Sequence, residues 1–169
     1  FPYSSTIEAK KLGIEVVHCH ALATMGLASI FTAKTLGLPL VGTFHTMLPL
    51  TTHYITQNVN AQEVLSKAAW KGIETFYKPF DVVTAPSQII AKLLQQHGVE
   101  NVKVISNGID VEKFNPKTNG EKVRKTLGVK KDEKLFLFVG RITEEKNVDV
   151  VIKAFAKLKN SDAKLAIVG

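Results

Sequence analysis

Two stretches of this sequence bring together side chains able to do chemistry. The first is "VGRITEEKN", residues 139–147, directly after the apolar run "LFLFV". Gly140 at the end of an apolar run leaves room for a ligand to come close to the backbone. Arg141 can fork across phosphate oxygens, and Lys146 adds a compact point charge. Two cations on one loop suit a diphosphate. The same residues also fit a solvated loop in which Arg141 and Lys146 pair with Glu144 and Glu145. Neither a Walker nor a G-x-G-x-x-G pattern is present to suggest a kinase or a dehydrogenase.

The second stretch is "VVHCH", residues 16–20. Side chains on a strand alternate, so His18 and His20 share a face and Cys19 points to the other. With His45 and His53 they raise the question of zinc. The spacing fits no common zinc pattern, and the single cysteine lies on the wrong face. Histidines hydrogen-bonded at strand ends remain an alternative.

These residues need elements to place them. Strands are expected at 14–20, 38–46, 80–87, 102–108, 134–140 and 163–169. Helices are expected at 22–37, 60–78, 88–98, near 120–127 and at 148–159. Gly37 and Gly98 stop helices, Ser87 caps one, and Asn147 is placed to cap another. Val64, Leu65, Ala68, Ile73, Phe76 and Tyr77 fall roughly on one side of the 60–78 helix. Val148, Val151, Ile152, Phe155 and Leu158 form one stripe on the last helix. The stretch "IDVEKFNPKTNGEK" has mixed charge, Pro and Gly but no apolar period, and reads as an interdomain linker. Apolar strands alternating with amphipathic helices predict an α/β fold of two Rossmann-like parallel-sheet domains. Residues 1–108 form the first, and 109–169 hold the linker and the start of the second. Ligands of such sheets sit at the strands' carboxyl ends. There lie His18 and His20, Thr43 to Thr46, Thr84 to Ser87, Asn107 and Gly108, and Gly140 to Lys146.

Composition narrows the choice. No run of 18 or more apolar residues spans a bilayer. The opening "FPYSSTIEAKK" lacks the pattern of a secretion signal, and one cysteine fits a reducing cytoplasm. The net charge is +7, with eight Lys/Arg against six Asp/Glu in residues 1–108 and 14 against nine in the rest. That points to anionic partners such as nucleotides, phosphates or membrane surfaces. Aromatics are not interleaved with the basic residues, so nucleic acid is not an expected partner.

"FVGRITEEKNVDVVIKAFAKL" resembles the hallmark of family 4 glycosyltransferases, retaining enzymes of the GT-B fold, and "VISNGIDVEKFNP" is similar to that family's interdomain stretch. "VVHCH" followed by "TFHT" resembles the family's acceptor-side domain. The resemblance implies two domains facing across a cleft, an acceptor on the first and a nucleotide-sugar on the second. It implies that Arg141 and Lys146 grip the donor diphosphate beside Gly140, so that neither a metal nor any other cofactor is needed. It implies that His20 orients a sugar hydroxyl, with His18 structural. The stretch "TFHTMLPLTTHYI", holding His45 and Thr46, resembles diacylglycerol glucosyltransferases and phosphatidylinositol mannosyltransferases. That implies a lipid acceptor and peripheral contact with the inner face of a membrane. A soluble sugar acceptor stays open, as does the packing of Phe44, Met47, Leu48 and Leu50 under their loop.

The expected function is therefore transfer of a hexose from a nucleotide-sugar to a lipid or sugar acceptor. A non-catalytic nucleotide-binding module and a GT-B epimerase or phosphorylase are the alternatives. Both domains read as incomplete. The glutamate-rich signature that contacts the donor sugar in the family is expected beyond Gly169, and a fragment of this extent is expected to be inactive alone.

Overall fold

The computed structural model describes residues 2–49, 55–158 and 162–169. His53, Leu50, Tyr54 and the end of the expected 148–159 helix lie outside the described residues. The chain divides into two compact units, residues 1–108 and 109–169.

The first unit runs α1 (Pro2–Lys11), β1 (Val17–Cys19), α2 (Ala23–Leu36), β2 (Leu40–Thr43), α3 (Val59–Tyr77), β3 (Val82–Ala85), α4 (Gln88–Gln96) and β4 (Val102–Val104). Its four strands are parallel in the order β1-β2-β3-β4. A strand joined in parallel to the next needs a crossover, and the helices supply it. The strands are shorter than expected at both sheet edges. The runs 14–20 and 102–108 keep only three paired residues each, because an edge strand has a neighbour on one side alone.

The core lies on one face of this sheet. Cys19, Leu40, Val83 and Ala85 project onto it, beside Phe44, Ile73, Tyr77, Phe80, Ala91 and Leu94. Val83 and Leu94 are fully enclosed. The expected side of α3 is buried only in its C-terminal half. Ile73 and Tyr77 are buried and Trp70 and Phe76 pack against the core, whereas Val64 and Ala68 stay exposed. Trp70 stacks on His97 with ring centroids 3.9 Å apart and an interplanar angle of 4°, which ties α3 to the end of α4. α1 packs on α2 through Tyr3 against Phe31 and a Thr6–Thr32 hydroxyl contact of 3.0 Å. The caps follow the sequence. Asn58 accepts from the amides of Asn60 and Ala61, Ser87 accepts from Ile90, and Gly37 closes α2 in the left-handed region at φ 66°.

The second unit holds α5 (Glu121–Thr126), β5 (Lys134–Val139), α6 (Val148–Ala156) and β6 (Ala163–Val168). β5 and β6 pair in parallel over six residues each. Phe155 of α6 meets Phe136 edge to face at 5.9 Å. Two strands offer a narrow surface, so the expected stripe on α6 is only half covered. Val148 is buried and Val151 and Phe155 are partly so, while Ile152 and Leu158 remain exposed.

Gly42 in the middle of β2 lets the rings of α3 close on the sheet. A Cβ there would stand 2.8 Å from the Tyr77 ring and 2.9 Å from the Phe80 ring. Gly42→Ala is expected to cost about 1–3 kcal/mol through overpacking, read as a lower denaturation midpoint with an unchanged slope. Full retention of stability would mean that these rings are not held against the strand.

Candidate active site

Parallel pairing delivers the residues that end β1, β2 and β3 to one edge of the first sheet. The register places Cys19 beside Gly42, and Thr43 beside Thr84. His18, Val41, Thr43 and Thr84 thus share the face opposite Cys19, as the alternation requires. Thr43 and Thr84 are buried, and their hydroxyls lie 2.7 Å apart. His18 reaches over with its Nε2 2.7 Å from the Thr43 hydroxyl. The Tyr77 hydroxyl donates to the Thr43 carbonyl at 3.4 Å from the α3 side, and burial pushes that phenol up to about 12. The buried hydroxyls of Thr43, Thr84 and Tyr77 need partners, and each has one, whereas His18 is exposed.

The histidines form a column on this platform. The rings of His18 and His20 stand 4.1 Å apart and tilted by 36°. His20 and His45 are stacked at 5.3 Å, and Nδ1 of His20 lies 3.0 Å from Nε2 of His45. His20 and His45 are exposed. The turn leaving β1 is tight. The Cys19 thiol donates to the Ala21 carbonyl at 3.0 Å. Ala23 opens α2 at φ 62°, a left-handed conformation that costs about 1–2 kcal/mol for a residue with a Cβ. Gly26 is required one turn on, since a Cβ would meet the Ala21 carbonyl and the Phe76 ring, each at 2.5 Å.

The structure brings His20 and His45, both expected at strand ends, into contact with each other. Thr46, next along the chain, is exposed, while Phe44 is buried and Met47 packs on the core. Leu48 is exposed. Asn107 and Gly108 lie past the end of β4 and are exposed; among the described residues no hydrogen bond joins them to the histidines. Among the described residues no group of three or more His, Cys, Asp or Glu side chains is arranged to hold a metal ion. Thr43 and Thr84 are among the polar residues expected at the strand ends, but their pairing with each other and with His18 was not expected. Their signal was present in the equal positions of two threonines near the ends of neighbouring strands.

In the second unit the basic loop leaves β5 at Gly140, whose amide donates to the Val168 carbonyl at 2.9 Å. Toward Gly140, an added Cβ would meet only the Phe138 ring, at an ordinary 3.6 Å. On the neighbouring strand end a Cβ at Gly169 would run into the Gly140 carbonyl. Glu144–Lys146 make one turn of 3-10 helix. Arg141 is exposed and donates to Glu145 at 2.6 Å. Lys146 is exposed and has no ion pair among the described residues. The loop thus realises the acidic pairing for Arg141 and leaves Lys146 open. An exposed pair of this kind contributes little, typically under about 1 kcal/mol, so little free energy holds the Arg141 guanidinium to Glu145. Asn147 does not cap α6 with its side chain. It sits in the left-handed region at φ 51°, and its carbonyl instead accepts from Val150 and Val151. The 3-10 turn forces this entry, and the Asn147 amide points back to the Glu145 carbonyl at 3.5 Å.

Burial, and then the charges of His20 and His45, hold His18 below the ordinary histidine range. The unfolded chain takes up this proton as pH falls below about 6.5, and the folded chain only later. Stability is therefore complete above that pH and is lost as pH falls through the depressed folded value. A His18→Gln variant is expected to lose less melting temperature than the parent between about pH 7 and about pH 5. Equal losses would assign the pH dependence to other groups.

Comparison with known proteins accords with this layout. Residues 2–113 match the profile described as Glycosyltransferase Family 4, and residues 119–169 match that described as Glycosyl transferases group 1. The chain is 31% identical to an alpha-monoglucosyldiacylglycerol synthase of Streptococcus pneumoniae, over 98% of this chain and 38% of that protein. It is 25% identical to a GDP-mannose-dependent alpha-mannosyltransferase of Corynebacterium glutamicum, over 98% of this chain and 38% of that one. The chain thus spans well under half the length of these relatives. The crystal structure of Anabaena HepE in complex with UDP and glucose superposes with a TM-score of 0.68 at 20% identity, covering 96% of this chain and 42% of that one. With a parallel α/β unit matching one profile and the loop-bearing unit matching the other, the chain belongs to glycosyltransferase family 4.

Proposed function

We propose that the protein carrying this chain is a retaining hexosyltransferase that moves a hexose from a nucleotide-diphosphate sugar to a lipid or sugar acceptor, without a metal or other cofactor. The observation that carries this is the pairing, within one family 4 chain, of a strand-end histidine cluster with a strand-end loop bearing Arg141 and Lys146. The chemistry asks for both. Breaking the sugar–phosphate bond leaves an oxocarbenium-like sugar and growing negative charge on the leaving diphosphate. Cations fixed near that oxygen stabilise the transition state more than the ground state. Gly140 keeps the backbone open beside them, and Lys146 is available without first breaking an ion pair. His20, in this reading, orients a sugar hydroxyl, and His45 and Thr46 face the acceptor.

A lipid acceptor is the finer part of the proposal. It draws on the resemblance of the 43–55 stretch to enzymes that glycosylate lipids and on the name of the pneumococcal relative. Among the described residues no helix is long and apolar enough to cross a membrane. The proposed location is accordingly the cytoplasmic face, with peripheral contact to anionic lipid aided by the +7 charge.

The test is turnover of a nucleotide-sugar panel by the full-length protein, with and without lipid vesicles. Transfer to lipid supports the reading, and donor binding without transfer to any acceptor refutes it. Arg141→Ala and Lys146→Ala are each expected to lower turnover at least tenfold, since losing one group that stabilises transition-state charge typically costs about 2.7–4 kcal/mol, roughly a hundredfold to a thousandfold. Near-parental turnover in either variant would remove that residue from the donor site.

A further inference from the structure

The contact between His20 and His45 constrains both rings more than a general hydrogen bond would. It joins Nδ1 of one ring to Nε2 of the other across 3.0 Å, so a single proton must lie between them when both rings are neutral. If His20 donates, its proton is on Nδ1, and His45, accepting at Nε2, must carry its own on Nδ1. If His45 donates from Nε2, then His20 accepts at Nδ1 and must carry its proton on Nε2. The two rings therefore hold the same tautomer, both Nδ1–H or both Nε2–H. The mixed pair is forbidden.

We propose that His45 is a positioning residue that sets, through this shared proton, whether His20 offers a lone pair or an N–H from its outer nitrogen. In the first state Nε2 of His20 accepts from a hydroxyl. In the second it donates to an oxygen. A ligand rich in hydroxyls, such as a hexose, presents both kinds of partner, so the shared proton decides which one His20 holds. The link to glycosyl transfer rests on the function proposed above; the tautomer rule rests only on the geometry.

The rest of the column keeps the pair in register. His20 lies against His18 at 4.1 Å, and His18 is in turn anchored by the Thr43 hydroxyl, which Thr84 meets from the next strand. The Thr43 hydroxyl has one proton, so the direction of that chain also fixes which nitrogen of His18 is protonated. The titratable groups facing His18 are His20 from β1's end and His45 from β2's end. Tyr77 of α3 meets the Thr43 carbonyl, Thr84 is the facing group of β3, and Cys19 turns to the opposite side. Desolvation, and then its two neighbours, hold His18 below the ordinary histidine range, so it takes up its proton later than a free imidazole as pH falls.

The experiment reads imidazole nitrogen-15 shifts by long-range proton–nitrogen correlation on the 169-residue chain, at a pH where the rings are neutral. The five histidines are assigned by single substitutions. Equal tautomers at His20 and His45 are expected, with His20 changing its tautomer ratio in His45→Phe and keeping it in His97→Phe. Opposite tautomers in the parent chain would overturn the proposal without need of any variant. So would a His20 tautomer ratio unmoved by His45→Phe in a folded variant. Neither result bears on whether the full-length protein transfers sugar, so failure here and failure of the transferase reading are separable.

Discussion

The alignment of parallel strands is the constraint on which the first unit depends. Every strand of a parallel sheet points the same way, so whatever residue ends one strand is carried to the same edge as the residues ending its neighbours. Three short strands bring His18, Thr43 and Thr84 into hydrogen-bonded sequence, although 66 positions separate the first from the last along the chain. The geometry needs a core on the opposite face to hold the strands flat against their helices. Cys19, Leu40, Val83 and Ala85 supply it, and Gly42 lets the rings of α3 come close enough to seal it. One set of alternating positions stabilises the sheet while the other set carries the polar groups.

The second unit applies the same rule with fewer parts. Its two strands are followed by Gly140 and Gly169, packed so closely that a side chain on the latter would strike the backbone of the former. The basic loop follows at once, and the 3-10 turn brings Glu145 within reach of Arg141. The pair is largely open to solvent on the Arg141 side, so it adds little to the stability of the loop. The loop thus shows the acidic pairing for Arg141, and a weak solvated pair of this kind does not exclude the phosphate role proposed for it.

Much of this was readable from residue pattern. The alternation of apolar runs with amphipathic helices gave the parallel α/β organisation, and Asn58, Gly37 and Ser87 act at helix ends by local rules that need no tertiary information, although only the latter two were expected to. His18 and His20 shared a face because period two is a property of any strand. What pattern could not supply was contact across the sheet. Nothing in the spacing of Thr43 and Thr84 tells which strands are neighbours or in what register, so the hydroxyl chain under His18 was invisible. Asn147 misled for a related reason. Its residue type suits a cap, but the turn before it imposed a left-handed backbone that points the side chain the wrong way. The stripe on α6 was correctly periodic and still only half buried, since burial depends on how much sheet lies opposite.

The stack of Trp70 on His97 has a practical corollary. It contains the chain's single indole, and it sits entirely within the first unit, between the middle of α3 and the end of α4. Near-ultraviolet absorption and emission from tryptophan will therefore follow the integrity of the histidine-bearing half alone. The half with the basic loop is spectroscopically dark at those wavelengths save for its phenylalanines, which gives an optical separation of the two units without any label.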